Sequence, residues 1–327
     1  MLARVACNVY WLSRYLERAE NTARLINVHS SLLLDLPKSL GVGWDPLIAI
    51  SGSEAQFYQI YPQAGENEVV SFLISEDSPA SILNSLSYAR ENLRTTRDLI
   101  PREAWEQLND LYLWSKRTLA NGLPKHNRYP FLRDLIRQTQ QLTGLLYGSM
   151  NRDQVYTFLE IGCYLERADM VTRTLDVRST NLLQMTQSQQ QDEQGQQMQL
   201  ATLKPFESIQ WMSVLKSLTA YQMYRRATGL VRVRGRDALQ FLLQDSLFPR
   251  ALYFCLEQVE THLKDLPGNG QTLGSLERLK RKISAADLAL LAEQPQQLHN
   301  FIDTLQVGLG QVHNHIDSAY FSGRIHT

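Results

Sequence analysis

Apolar residues recur along the start of the chain in steps of four and three: Val5, Val9, Leu12, Leu16, Ala19, Ala23, Ile26 and Leu33. This spacing predicts one long helix with a single packed seam. Pro37 and the Gly41–Gly43 pair are its expected terminators. At about 1.5 Å per residue the helix would be on the order of 50 Å long. Shorter helices are predicted over Trp44–Tyr61 and Glu66–Ser75, with another opening at Ser78-Pro79 and running to Leu99. Pro101 starts the next, to Ala120, and after the Asn121–Pro124 turn cluster helical spacing resumes over Tyr129–Met150. Asn151 reads as the N-cap of a second long helix ending near Leu183. Further helices are expected at Phe206–Leu230, Arg236–Gln244, Pro249–Leu266, Leu276–Ile283 and Pro295–Phe321. No segment alternates β-branched and polar residues long enough for a sheet. The expected fold is all-α, a long-helix bundle.

The two long helices share more than their period. Tyr15–Val28 (YLERAENTARLINV) and Tyr164–Val177 (YLERADMVTRTLDV) are identical at seven of fourteen positions, 149 residues apart. The apolar register transfers too, with Phe158, Ile161, Leu165, Ala168, Thr172 and Leu175 answering Val9, Leu12, Leu16, Ala19, Ala23 and Ile26. A shared seam predicts that the helices pack together around a pseudo-twofold axis, with Ala19 and Ala168 allowing close approach. The charged positions Glu17, Arg18, Glu20 and Arg24 match Glu166, Arg167, Asp169 and Arg173. Glu20→Arg24 and Asp169→Arg173 have the favoured i, i+4 orientation, worth about 0.2–0.5 kcal/mol each on a solvated face. The ionic positions match while neighbours such as Asn21/Met170 and Thr22/Val171 drift. That contrast favours a shared, partly buried ionic network or ligand site. A weaker echo, Leu256–Glu260, keeps the L-E-x-x-E frame but places Gln258 where the arginine stands.

Composition narrows the setting. Lys plus Arg and Asp plus Glu are 33 each in 327 residues, so the formal net charge is zero. This argues against a general nucleic-acid binder, although Arg225, Arg226, Arg232, Arg234 and Arg236 form a local basic cluster. Cys7, Cys163 and Cys255 lack metal or disulfide spacing and read as reduced core thiols. No stretch approaches a membrane span or a signal h-region. The chain is expected to be soluble and cytoplasmic. In Gln184–Gln199 nine of sixteen residues are Gln, which reads as a mobile loop or frayed helix end. The expected organisation is a helical bundle over 1–183 holding both repeats, the Gln-rich loop over 184–200, and a helical segment over 201–327 packing on the same bundle.

Candidate chemistries fall away in turn. A di-metal carboxylate bundle needs Glu-x-x-His pairs, and none accompanies Glu17, Glu20, Glu166 or Asp169, so no metal and no cofactor is expected. His313 and His315 point apart on a helix, while His299 shares a face with His313. No phosphate-binding glycine loop or serine elbow occurs. Arg90, Arg94 and Arg97 are candidates to complete the ion network from another helix. Trp11, Trp105, Trp114 and Trp211 read as packing anchors.

The stretch NVYWLSRYLERAENTARLINV (Asn8–Val28) resembles the opening of the alpha-E domain family, bacterial helical proteins named for a conserved ER motif. Ser87–Asn109, Tyr156–Ser179, Phe248–Glu260 and His313–Phe321 agree with the same family, so the resemblance spans nearly the whole chain. One departure is Cys163, where a basic residue is expected before the second YLER. The resemblance implies association with circularly permuted ATP-grasp ligases and transglutaminase-like peptidases, and so a role in making or modifying a peptide or peptide-like metabolite. The leading expectation is a non-catalytic partner or scaffold for an ATP-grasp ligase, binding that enzyme or its acidic or peptidic substrate through the ER face. The rival is an enzyme using Glu17 and Glu166 for acid–base chemistry. A purely structural helical oligomer is the third reading. Neither nucleic acid nor membrane is an expected partner.

Overall fold

Glycine and proline cut the helices where the apolar period alone would run on. The computed structural model describes residues 1–37, 42–189 and 196–322, with side chains over the same spans apart from 178–206. The described residues form α1 (Ala3–Asp35), α2 (Asp45–Ser51), α3 (Glu54–Ile60), α4 (Glu66–Ile74), α5 (Ile82–Thr95), α6 (Arg102–Gly122), α7 (Lys125–Ser149) and α8 (Gln154–Gln189). These are followed by α9 (Gln196–Ser217), α10 (Tyr221–Thr228), α11 (Gly235–Gln244), α12 (Leu252–Leu263), α13 (Gly270–Ser284), α14 (Leu288–Glu293) and α15 (Pro295–Ile316). A π-helical turn, Asp317–Phe321, extends α15. Among the described residues there is no strand, and no helix is long and apolar enough to cross a membrane.

Several boundaries differ from the sequence expectation for local reasons. Trp44–Tyr61 splits into α2 and α3 because Gly52 takes the left-handed conformation at φ 67°. Phe206–Leu230 divides likewise at Thr219, φ 54°. Ser78-Pro79 lies in the turn before α5 rather than in its first turn; the cap is Ser81, whose Oγ accepts from the Asn84 N–H at 3.2 Å. Asn151 is not the cap of α8: Asp153 Oδ1 accepts from the N–H groups of Val155 and Tyr156, at 2.9 and 3.2 Å. The Gln184–Gln199 segment, expected as a mobile loop or frayed helix end, is helical to Gln189 and again from Gln196. Residues 190–195 lie outside the described residues, as does Gly41.

α1 and α8 lie against each other at the centre. α1 also packs on α5 and α7, while α8 packs on α12 and α15. α6 joins α5 to α7, and α13 joins α12 to α15, so each long helix has a similar set of flanking helices. Both seams are buried throughout, from Val9 to Ile26 and from Phe158 to Leu175. α1 approaches α8 closely at Gly162, where an added Cβ would collide with the Tyr10 carbonyl and the Ser13 hydroxyl. Ala19 and Ala168, the small residues singled out by the repeat, are fully buried, and Gly162 has no room for a side chain.

Candidate functional site

Helical periodicity places Glu17 and Glu166 beside their seams, and the packing of α1 on α8 turns both inward. Each motif's carboxylate then meets the other motif's guanidinium. Arg167 on α8 donates from Nε to Glu17 Oε1 at 2.7 Å. Arg18 on α1 donates from Nε to Glu166 Oε1 at 2.7 Å and from Nη2 to Oε2 at 3.1 Å. Arg18 also lies over Tyr15 at 5.7 Å and Arg167 over Tyr164 at 5.3 Å, so the tyrosine opening each motif supports its own arginine. The solvated-face reading fails here, because Glu166 is 1% and Glu17 5% exposed.

A second arginine completes each side, and neither was among the residues singled out from the sequence. On Glu166 it is Arg14, also on α1, with Nε 2.6 Å from Oε2. Arg14 in turn donates to the Tyr10 hydroxyl at 2.9 Å, and Tyr10 shares a 2.8 Å hydrogen bond with His313 Nδ1. On Glu17 the position matching Arg14 is Cys163, whose thiol donates to Oε1 at 3.4 Å. The missing charge arrives from elsewhere. Arg250, in the turn before α12, places Nη1 3.1 Å from Glu17 Oε2 and Nη2 3.5 Å from Glu20 Oε1. The same Nη1 donates to Asn21 Oδ1 at 2.9 Å. The sequence carried one hint of this, the unexpected cysteine before the second YLER.

The flanking pairs stay within their own helices. Arg24 binds Glu20 at 2.6 Å, and Gln140 on α7 donates to the same Oε1 at 3.1 Å. Arg173 binds Asp169 at 2.8 Å. Asn21 differs from Met170 because Asn21 serves Arg250 and also donates to Glu17 at 3.5 Å. The arginines expected to complete the network do not reach it. Arg90 donates to Asn109 and lies over Trp105 and Tyr112, Arg94 pairs with exposed Glu91, and Arg97 is exposed beside Asp98. The histidines disperse as well: His299 binds Asp176, His313 binds Tyr10 and His315 binds Ser275. Arg225, Arg226, Arg232, Arg234 and Arg236 are exposed along α10 and the start of α11.

Burial pushes the Glu17 carboxyl up, but Arg167 and Arg250 outweigh it and hold the group down at about 2. Burial acts the same way on Glu166, where Arg18 and Arg14 prevail and leave it at about 2. One further carboxyl moves the other way: burial raises Glu160, with Arg167 opposing. Glu160 lines a cavity of about 310 Å³ with Glu17, Cys163, Tyr164 and Arg167. A larger cavity of about 380 Å³ opens on the opposite side of the clasp, against Arg18, Glu166, Asp169 and Arg173. Burial raises the thiols of Cys163 and Cys255, the latter to about 12, which leaves them protonated and poor nucleophiles.

Residues 1–321 match Alpha-E, described as a predicted alpha-helical domain with a conserved ER motif. Uncharacterised proteins of Mycobacterium bovis and Mycobacterium tuberculosis are 26% identical to the chain over 324 residues. The match covers 90% of this chain, which spans about a third (33%) of the length of each of those relatives. No solved structure matches.

Proposed function

Because this chain belongs to the Alpha-E family of helical proteins with a conserved ER motif, we propose that it is a non-catalytic partner of an ATP-grasp peptide ligase. The observation that carries this reading is the state of the two motif carboxylates. A general acid or base works best with a pKa near the operating pH. Glu17 and Glu166 are instead held near 2, each between two guanidiniums. They serve as a clasp that fixes α1 on α8, and the helical surface around that clasp is what a partner would meet. The family resemblance supplies the partner class, with a transglutaminase-like peptidase as a second partner and a peptide or peptide-like metabolite as the product; the cytoplasmic setting rests on the unpaired cysteine pattern. Relatives three times as long as the stretch they share with this chain fit a module that works joined to, or beside, other domains.

The test is co-purification with an ATP-grasp protein encoded nearby, followed by ligase turnover measured with and without this chain. The expected result is a stable complex and a faster ligase. A ligase that is fully active alone and forms no complex would end this reading.

The enzyme alternative has its best carboxylate outside the motif. Glu160, raised by burial and facing a cavity with Tyr164, has the environment of a general acid. On the partner reading Glu160→Gln leaves ligase support intact; product formed by this chain alone and lost in Glu160→Gln would favour the alternative.

A further inference from the structure

The turn before α12 has a counterpart before α5. Pro249-Arg250 leads into Leu252, and Pro79-Ala80 leads into Ile82. Each turn lies against a motif helix. Arg250 reaches Glu17, Glu20 and Asn21 on α1. The matching residues of α8 are Glu166, Asp169 and Met170, and all three line the cavity of about 380 Å³, as does Ala80. The cavity is therefore the space that an arginine fills on the other side of the clasp and an alanine leaves open here.

The space is not short of positive charge. Arg14 already gives Glu166 its second guanidinium, and Arg173 holds Asp169. Two guanidiniums (Arg18 and Arg173) and two carboxylates (Glu166 and Asp169) line the cavity, and Arg14 on Glu166 adds a third positive charge behind the lining. Arg173 uses Nε on Asp169, and its other nitrogens have no acceptor among the described residues. Nη1 of Arg173 lies against Gly52, at the mouth of the cavity, and the side chain is 35% exposed. Arg18 lines the same cavity, with Nε and Nη2 on Glu166 and Nη1 without an acceptor among the described residues. Leu25, Leu47, Ile50 and Leu73 supply an apolar lining.

We propose that this cavity binds a small organic carboxylate with an apolar body, its carboxylate on Arg173 and Arg18. The uncommitted Nη1 and Nη2 of Arg173 and the Nη1 of Arg18 suit a carboxylate, and the aliphatic walls suit a leucine-sized group. Binding is a property of this chain alone, so it can hold or fail independently of the ligase partnership.

The test is calorimetric titration of the full chain with N-acetylleucine, N-acetylleucinamide and inorganic phosphate. N-acetylleucine is expected to bind, while the neutral amide, with the same body, binds at least about 10-fold more weakly because it cannot take a charge-assisted pair. Arg173→Gln is expected to weaken N-acetylleucine by about 10-fold or more. Ala55→Trp, at an exposed position on the rim, is expected to abolish binding by filling the mouth. Both variants should melt within a few degrees of the parent chain. Equal affinity for acid and amide, tightest binding by phosphate, no binding of N-acetylleucine at millimolar concentration, or parent-like binding by both variants would each overturn the proposal.

Discussion

The two sides of the clasp reach the same electrostatic end by different routes. On the Glu166 side both guanidiniums, Arg14 and Arg18, come from one helix. On the Glu17 side Arg167 comes from α8 and Arg250 from the turn before α12. A cysteine replaces the arginine in the second repeat, and an alanine stands where the first half would need its own Arg250. What is kept is two guanidiniums per buried carboxylate, not a residue at a position. The reason is energetic: a buried carboxylate with too few partners is strongly destabilising, whereas the source of the partner makes little difference. The consequence differs between the sides. The ion pairs of the Glu166 side tie α1 to α8 alone, whereas those of the Glu17 side also tie in the turn before α12.

The largest effect should come from removing either carboxylate. Glu166→Gln strands Arg14 and Arg18, and Glu17→Gln strands Arg167 and Arg250. Each should cost about 3–5 kcal/mol in urea denaturation. The double variant should lose less than the sum of the two, because both pairs span the same interface. Full additivity would mean that the sides are independent. Acid should expose the same dependence. Both carboxyls lie well below their ordinary 4.5 in the folded chain. Their contribution is thus complete above about pH 4.5 and lost as pH falls toward 2. A midpoint that stays constant across that window would detach stability from the clasp.

Arg250 offers a sharper test of the comparison. Arg250→Ala leaves Glu17 with Arg167, so about 2 kcal/mol is expected, less than for removing the carboxylate. Adding Cys163→Arg should recover part of that loss by rebuilding the geometry of the other side. Failure to recover any of it would show that Arg250 acts through α12 packing rather than through charge. Gly162→Ala should cost about 1–3 kcal/mol, since its Cβ would push α8 off the Tyr10 carbonyl. The matching change on α1, Ser13→Ala, removes only a hydroxyl bonded to the Tyr10 carbonyl and should cost about 1 kcal/mol or less. The smallest effect is expected for Arg94→Ala, an exposed pair with Glu91 outside the clasp, at well under about 1 kcal/mol.

The helical fold and the inward placement of the motif follow from signals that a sequence carries well. A 3.6-residue period marks each seam, and the matched charges mark the positions beside it. The exchange of partners between motifs was within reach, because both helices carry Glu and Arg in the same register. Arg250 was not: it stands 229 residues from Asn21, in a turn whose counterpart carries alanine. Gly162 gave no cue either, since a glycine inside a helical pattern reads as a local weakness until its neighbour across the crossing is known. The splits at Gly52 and Thr219 depend on single backbone conformations, to which an apolar period is blind. The drift from Asn21 to Met170 reads in the sequence only as a contrast to the matched ionic positions. In the fold it marks which side of the clasp holds Arg250.

The separation between the clasp partners also bears on how the chain is made. Arg14, Glu17 and Arg18 find their mates 148 to 152 residues later. At ribosomal rates of about 5–20 residues per second, α1 waits on the order of 10 s for α8 to emerge. During that interval α1 can pack on α5 and α7, but Arg14, Glu17 and Arg18 lack the mates that α8 brings. On a polysome, the α8 of a chain ahead offers the same complement. Two molecules that traded α8 would satisfy every pair of the clasp, making a swapped dimer the natural misassembly of this fold.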